Sequence, residues 1–257
     1  MIRLRTEKAH LLGYKSYAHY VTSDQMASNP KAVYTLLGEV WEPALERARE
    51  ELAEMEKLFK NDYTDSEYKF ESWDWWYYAE KVRQSKYALN EDIVRGYFSL
   101  DNTRQGIFNL ANRLFGITFR PVTVPVYHKD VSAYEVLDKD ESHLGILYFD
   151  FHPRAGKGQG AWCGYFREQR YEADGTRTAP VVSIVCNFTA PTEATPSLLT
   201  LDEVTTLFHE FGHALHFLFT NVRYNGLINV EGDFVELPSQ IMENWALTPQ
   251  MLRTYAT

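Results

Sequence analysis

Residues 199–218 constrain the fold of this chain more tightly than any other stretch. Thr200 and Glu203 have the spacing of a capping box, and Leu199 and Val204 flank it as a hydrophobic staple. The pattern predicts a helix that starts at Leu201, with Asp202 in its first turn suiting the helix dipole. Inside that helix lies His209-Glu210-Phe211-Gly212-His213. Four residues advance a helix by slightly more than one turn, so His209 and His213 project from one face. Two imidazoles placed this way reach one ion at the roughly 2.0–2.1 Å of zinc–nitrogen bonds. Glu210 stands beside a ligand without being one, where it can take a proton from an activated water. Accident explains the motif poorly: the chain holds only 8 histidines. Leu207, Phe208, Phe211, Leu215 and Leu218 also make this a buried helix, where unpartnered polar groups are costly. Gly212, unfavourable in a helix interior, predicts the close approach of another backbone.

A catalytic zinc needs a third protein ligand and an open position. The metzincin pattern would place a glycine and then a histidine downstream, but those positions hold His216 and Phe219, which excludes that class. A second helix offers a carboxylate instead, within Asp233-Phe-Val-Glu236-Leu-Pro-Ser-Gln240-Ile-Met-Glu243-Asn-Trp, where Pro238 suits a first turn. Glu236, Ser239, Gln240 and Glu243 fall on one polar stripe bordered by Phe234, Leu237, Ile241 and Trp245. Such a stripe makes sense facing a buried ion. The competing reading of Glu236 is a capping glutamate paired with Asp233. Asp233, His216 and Glu243 are also candidates to hold the ligand imidazoles from behind, because a metal-bound histidine nearly always donates its other N–H. The alternative for each of the three is a surface polar residue or a local cap.

Elsewhere the chain reads as a helical half followed by a small, largely antiparallel sheet, a mainly α member of the α+β class. Residues 1–60 carry apolar positions at helical spacing, with Pro43 predicting a kink or a break. Helical patterns resume over Asp74–Ala88, Glu91–Tyr97 and Asn102–Phe115, with a polar loop at Asn61–Ser72. The aromatics Trp73, Trp75, Trp76, Tyr77 and Tyr78 read as a packing layer between helices rather than a ligand platform. Strand signals follow at Val124–Tyr127, Ala133–Leu137, Leu144–Phe151, Trp162–Tyr171 and Thr178–Phe188, with Asp174-Gly175 as a hairpin turn. The expected subdomains are 1–120, helical, and 121–257, sheet plus metal-binding helices.

Composition removes other functions. Of 257 residues, 26 are Lys or Arg against 35 Asp or Glu, a net charge of −9 that argues against a nucleic-acid partner. No apolar run reaches the length of a membrane span, so no membrane partner is expected, and residues 1–8 lack a secretory signal's apolar core. The 2 cysteines, Cys163 and Cys186, read as free buried thiols of a reducing compartment. Together these predict a cytoplasmic protein.

His209-Glu-Phe-Gly-His-Ala-Leu-His216, followed by Asp233-Phe-Val-Glu-Leu-Pro-Ser-Gln240, resembles the M3 family of zinc metallopeptidases. Trp73-Asp-Trp, Lys86-Tyr-Ala-Leu, Tyr148-Phe-Asp-Phe, Gly160-Ala-Trp and Val185-Cys-Asn-Phe-Thr are most similar to its peptidyl-dipeptidase branch, so the resemblance spans roughly residues 1 to 257. It implies a mostly helical, two-lobed enzyme with a deep channel that acts on short peptides and releases C-terminal dipeptides. It implies one zinc ligated by His209, His213 and Glu236, Glu210 as general base, and a strand at Gly160 and Ala161 whose backbone pairs with the substrate. The expected mechanism is attack of zinc-activated water, with Glu210 accepting its proton and returning it to the leaving amine.

Members of that family are far longer, and they place a tyrosine and a histidine downstream of the zinc glutamate to stabilise the tetrahedral intermediate. That segment has no counterpart here, so the chain reads as a fragment whose partners include short peptides and the remainder of the same enzyme. The alternative reading is a zinc-binding but catalytically incomplete piece, since one missing oxyanion donor costs on the order of 10²–10³ in rate.

Overall fold

A computed structural model describes residues 1–64, 67–88 and 90–257. Asp65 and Ser66 of the expected Asn61–Ser72 loop, and Leu89 of the Lys86–Leu89 stretch, lie outside the described residues. The chain forms two compact units, Met1–Asn90 and Glu91–Thr257.

The first unit holds α1 (Ile2–Leu11), α2 (Tyr17–Thr22), α3 (Pro30–Asp62) and α4 (Trp75–Tyr87), the last entered through a short 3-10 turn at Ser72–Asp74. α3 runs through Pro43 without interruption. The carbonyl of Glu39, which loses its donor to the proline ring, lies on an exposed stretch that is open to solvent. The apolar positions Leu36, Leu37, Val40 and Trp41 are exposed, and α3 buries Met55 and Phe59 instead, against Tyr78 of α4. The aromatic run at the start of α4 does not form a single packing layer. Trp73 and Trp76 are 77% and 83% exposed and Tyr77 is exposed, while Tyr78 is buried and Trp75 packs beside it. Neighbours in a helix point about 100° apart, so one face takes only part of the run.

The second unit contains α5 (Glu91–Arg95), α6 (Leu100–Phe115), seven strands and the helices α7 (Leu201–Leu218), α8 (Leu237–Ala246) and α9 (Pro249–Tyr255). The strands are β1 (Thr118–Pro121), β2 (Ser132–Leu137), β3 (His143–Asp150), β4 (Trp162–Arg167), β5 (Arg170–Tyr171), β6 (Arg177–Thr178) and β7 (Val181–Val185). The units part at Asn90/Glu91 and not near residue 120, because α6 buries Ile107, Phe108, Leu110 and Ala111 in the same core as the sheet. Its Phe108 stacks on Phe119 of β1 at 4.2 Å between ring centres.

Five strands form one sheet in the order β1-β2-β3-β7-β4. It is mixed rather than purely antiparallel. β3 and β7 run parallel, Ile146 opposite Val181 through Asp150 opposite Val185, while the other neighbours are antiparallel. The strand expected at Val124–Tyr127 is irregular, since Pro125 has no N–H to give a ladder, and β1 forms just before it. β5 and β6 make the expected hairpin, with Gly175 at φ +84° in its turn. The large apolar core of this unit is sealed by α7, whose Leu207, Phe208, Phe211 and Leu218 are fully buried. Among the described residues no helix is long and apolar enough to cross a membrane. Cys163 and Cys186 are free thiols.

Candidate metal centre

α7 starts at Leu201, as its capping signals predict. The Thr200 hydroxyl accepts from the Glu203 N–H at 3.1 Å, and the Glu203 carboxylate accepts from the Thr200 N–H at 2.8 Å. Leu199 and Val204 are both fully buried beside this cap. The local sequence therefore fixes which face of α7 turns toward α8, and that face carries His209 and His213 with ring centres 4.9 Å apart.

α8 lies directly across Gly212. A Cβ at that position would stand 2.5 Å from the Pro238 carbonyl oxygen and 2.6 Å from the Ser239 Cα. Only a residue without a side chain lets the two backbones come this near. The approach brings Glu236, at the N-terminal end of α8, over both imidazoles: its Oε2 is 3.2 Å from His209 Nε2 and 3.1 Å from His213 Nε2. One ligand atom from each of the three lies within 4.8 Å of the others. Glu236 precedes the first residue of α8 and caps nothing with its side chain. Its Oε2 instead accepts from the Ser239 hydroxyl at 2.8 Å. Burial pushes the Glu236 carboxyl up, but the Ser239 hydroxyl and the two imidazoles outweigh it and hold the group below the ordinary carboxylate range. Burial likewise lowers His213, against the pull of Glu236.

Behind His209, Glu243 places Oε1 2.6 Å from Nδ1. A carboxylate only accepts, so Nδ1 is the donor to Glu243, and Nε2 is the ring nitrogen that faces Glu236. Two imidazole nitrogens and a carboxylate oxygen clustered this closely are donors of the kind a metal ion takes. Donors arranged tetrahedrally about an ion at roughly 2.0–2.1 Å are about 3.3 Å apart, close to these separations. The donor set therefore fits a divalent metal.

Glu210 is not one of the three clustered donors and is 6% exposed. Its Oε2 has no hydrogen-bond partner among the described residues. Burial, reinforced by Glu236 and opposed by His209, raises its carboxyl to about 7. Cys163 and Cys186 lie near enough to feel its charge, and burial pushes both thiols up. A cleft of about 350 Å³ opens onto Glu210 and His209, lined also by Ala161, Asp202, Thr205, Thr206 and Glu243. Gly160, next to Ala161, has φ +85°, a left-handed backbone that favours glycine. His216 lies one turn beyond His213, its ring beside Phe217 and Phe234. Asp233 sits in the turn that leads into α8.

The family model of peptidase family M3 matches residues 1–257. The chain belongs to this family. Dipeptidyl carboxypeptidase of Salmonella typhimurium is 43% identical over 260 residues, covering 100% of this chain and 38% of that protein. The enzyme of the same name from Escherichia coli is 42% identical over 260 residues, covering 100% of this chain and 37% of its own length. Oligopeptidase A of Salmonella typhimurium is 38% identical over 256 residues, with 98% of this chain and 37% of that protein covered. The chain thus spans less than two fifths of the curated M3 relatives it matches.

The M3 chain also carries cleft residues that the motif reading passed over. Asp202, Thr205 and Thr206 line the cleft with His209, from which they stand seven, four and three positions back. That helical spacing was the available signal. Ser239 belongs to the polar stripe, but its part as donor to Glu236 emerges only from the packing of α8 on α7.

Proposed function

We propose that the protein carrying this chain is a zinc peptidase that cuts short peptides and releases dipeptides from their C-terminal ends. The observation that carries the reading is the convergence of His209 Nε2 and His213 Nε2 on Glu236 Oε2, with the buried Glu210 next to them at a cleft. Zinc fits because two neutral imidazoles and one carboxylate are a common three-ligand set, leaving a fourth position for water or substrate. When bound, the metal would supply Lewis acidity that polarises the scissile carbonyl and lowers the pKa of water. Dipeptide release is taken from the name shared by two relatives, dipeptidyl carboxypeptidase.

The residues divide the work. His209, His213 and Glu236 hold the metal, and Glu243 orients His209 through Nδ1. His216 lies near enough to His213 for its charge to act on it, and Asp233 sits in the turn that leads into α8. Glu210 takes a proton from the attacking water and returns it to the leaving amine nitrogen, which makes that nitrogen a better leaving group. The backbone at Gly160 and Ala161 receives an extended peptide by strand addition, because it leads into β4, an edge strand of the sheet.

The test uses a short peptide with a blocked N-terminus, mass analysis of its products, and metal content by atomic absorption. One zinc per chain, dipeptide release and loss of both with a chelator are the expected results. Glu210→Gln should keep the metal and lose turnover by roughly 10²–10⁴-fold. Turnover that survives this change would remove Glu210 as the base. Single residues released from the C-terminal end, or cuts at internal bonds alone, would overturn the substrate assignment.

A further inference from the structure

The backbone that borders the metal cleft at Ala161 is reached through residues 151–161, which hold neither helix nor strand. Their conformation therefore depends on hydrogen bonds outside any helix or strand ladder. Lys157, 3% exposed at its side chain, donates to the carbonyls of Asp150 at 3.0 Å, His152 at 2.8 Å and Cys186. Nearer the cleft, the carboxamide of Asn187 donates to two carbonyls at once, Gly158 at 2.8 Å and Gly160 at 2.7 Å. Asn187 lies two residues beyond β7, the strand that pairs with β4, so the clamp and the edge it holds share one support.

The residue type matters. A carboxamide nitrogen carries two N–H groups, which suffice for two carbonyls; a hydroxyl has one and a carboxylate none. Gly160 is held at φ +85°, and a Cβ there would meet nothing within 4 Å, so neighbouring side chains do not pin it sterically. The two hydrogen bonds of Asn187 are the contacts that fix Gly158 and Gly160, and through them the direction in which Ala161 enters the cleft beside His209 and Glu210.

We propose that Asn187 is a positioning residue for the peptide: it touches no substrate, and keeps the Gly160–Ala161 backbone in the one arrangement to which an extended peptide can add. The inference rests on the reading of that backbone as the peptide-receiving edge. A loop released from the clamp samples several arrangements, and apparent affinity falls with the fraction that is competent. Once the peptide is bound, the loop is ordered again and the chemical step is unchanged. Loss of uniform binding of this kind raises KM and leaves kcat alone.

The experiment compares wild type, Asn187→Ala and Asn187→Asp in the protein that carries this chain. It reads peptide hydrolysis, zinc content, melting temperature and amide hydrogen exchange over residues 156–163. Asn187→Ala should raise KM roughly tenfold with kcat within about twofold, since two hydrogen bonds are lost. Asn187→Asp should raise it further, because its carboxylate faces the two carbonyl oxygens. Exchange over 156–163 should quicken in both variants, with zinc content unchanged. Faster exchange without a change in KM would overturn the inference, as would unchanged exchange, or a fall in kcat that matches the fall in kcat/KM. Glu210→Gln, run alongside, separates the two ideas. If it is inactive while the Asn187 variants keep their KM, the peptidase reading stands and the clamp inference fails. If it retains turnover, only the assignment of Glu210 as base fails; if the wild type itself releases no dipeptide, the peptidase reading fails and takes the inference with it.

Discussion

Replacing Gly212 by alanine tests whether the contact between α7 and α8 sets the metal centre. The added Cβ would sit 2.5 Å from the Pro238 carbonyl oxygen and 2.6 Å from the Ser239 Cα, where ordinary contact begins near 3.4 Å. Both obstacles are backbone, so no rotamer relieves them, and α8 must retreat by the difference, about 0.9 Å. Glu236 lies only two and three residues before those points and is tied to Ser239 through its Oε2. Its carboxylate therefore moves with the helix, away from imidazoles now 3.1–3.2 Å distant. A metal site tolerates departures of about 0.2 Å in its bond lengths, so the displacement breaks the three-ligand set. We expect zinc affinity, measured by chelator competition, to fall at least tenfold, and turnover to fall by about 10²-fold. Stability changes less. Overpacking costs about 1–3 kcal/mol, while alanine in place of glycine inside a helix returns close to 1 kcal/mol. Gly38→Ala in α3 is the control, because nothing lies within 4 Å of its would-be Cβ. It should stabilise the protein by about 0.5–1 kcal/mol and leave zinc binding untouched. If Gly212→Ala behaves like Gly38→Ala, more stable with wild-type affinity, the close approach does not govern the site and the reasoning is wrong.

Other outcomes follow from single contacts. Glu243→Ala removes the acceptor 2.6 Å from His209 Nδ1 and should weaken zinc binding by about 10–100-fold in the same competition assay, with the fold retained. Thr200→Ala deletes one half of the capping box and should lower stability in urea unfolding by about 0.5–2 kcal/mol. Asp150, 2% exposed, is pushed up by burial, but Arg154, Lys157 and Tyr127 outweigh that and hold it at about 2. Its folded value lies below the unfolded one of about 3.9, so its contribution is complete above pH 4 and is lost as pH falls through 2. That contribution is roughly 2–3 kcal/mol. Asp150→Asn should therefore destabilise near neutral pH by about 3–5 kcal/mol, since it strands the buried Lys157, and the gap to wild type should narrow as pH falls from about 4 through 2. A gap independent of pH would refute the assignment.

The clustering of His209, His213 and Glu236 was legible because its determinants are local or carry a spatial signature in one residue. The capping box names the first residue of α7, helical geometry then puts His209 and His213 on one face, and Gly212 announces a neighbouring backbone without saying whose. Elsewhere the evidence in the chain is nonlocal. Nothing within Leu144–Phe151 or Thr178–Phe188 states that their strands lie side by side in parallel, since antiparallel and parallel ladders draw on the same apolar and β-branched residues. The apolar spacing in α3 correctly marks a helix, yet Leu36, Leu37, Val40 and Trp41 face solvent in the described structure, because periodicity shows which residues share a face but not what covers it.

The loop at Gly158–Gly160 shows the same limit closer to the chemistry. Its conformation is held by Lys157 and by Asn187, and Asn187 lies 27 positions from Gly160 along the chain, so no spacing rule connects them. Asn187 comes to the loop only because β4 pairs with β7, and that pairing also determines which edge of the sheet borders the cleft. A short motif thus specifies the atoms of the candidate metal site, while the surface proposed to present a peptide to them depends on the sheet as a whole. Substitutions in α7 should accordingly act on zinc affinity and kcat, and those around β4 and β7 on KM.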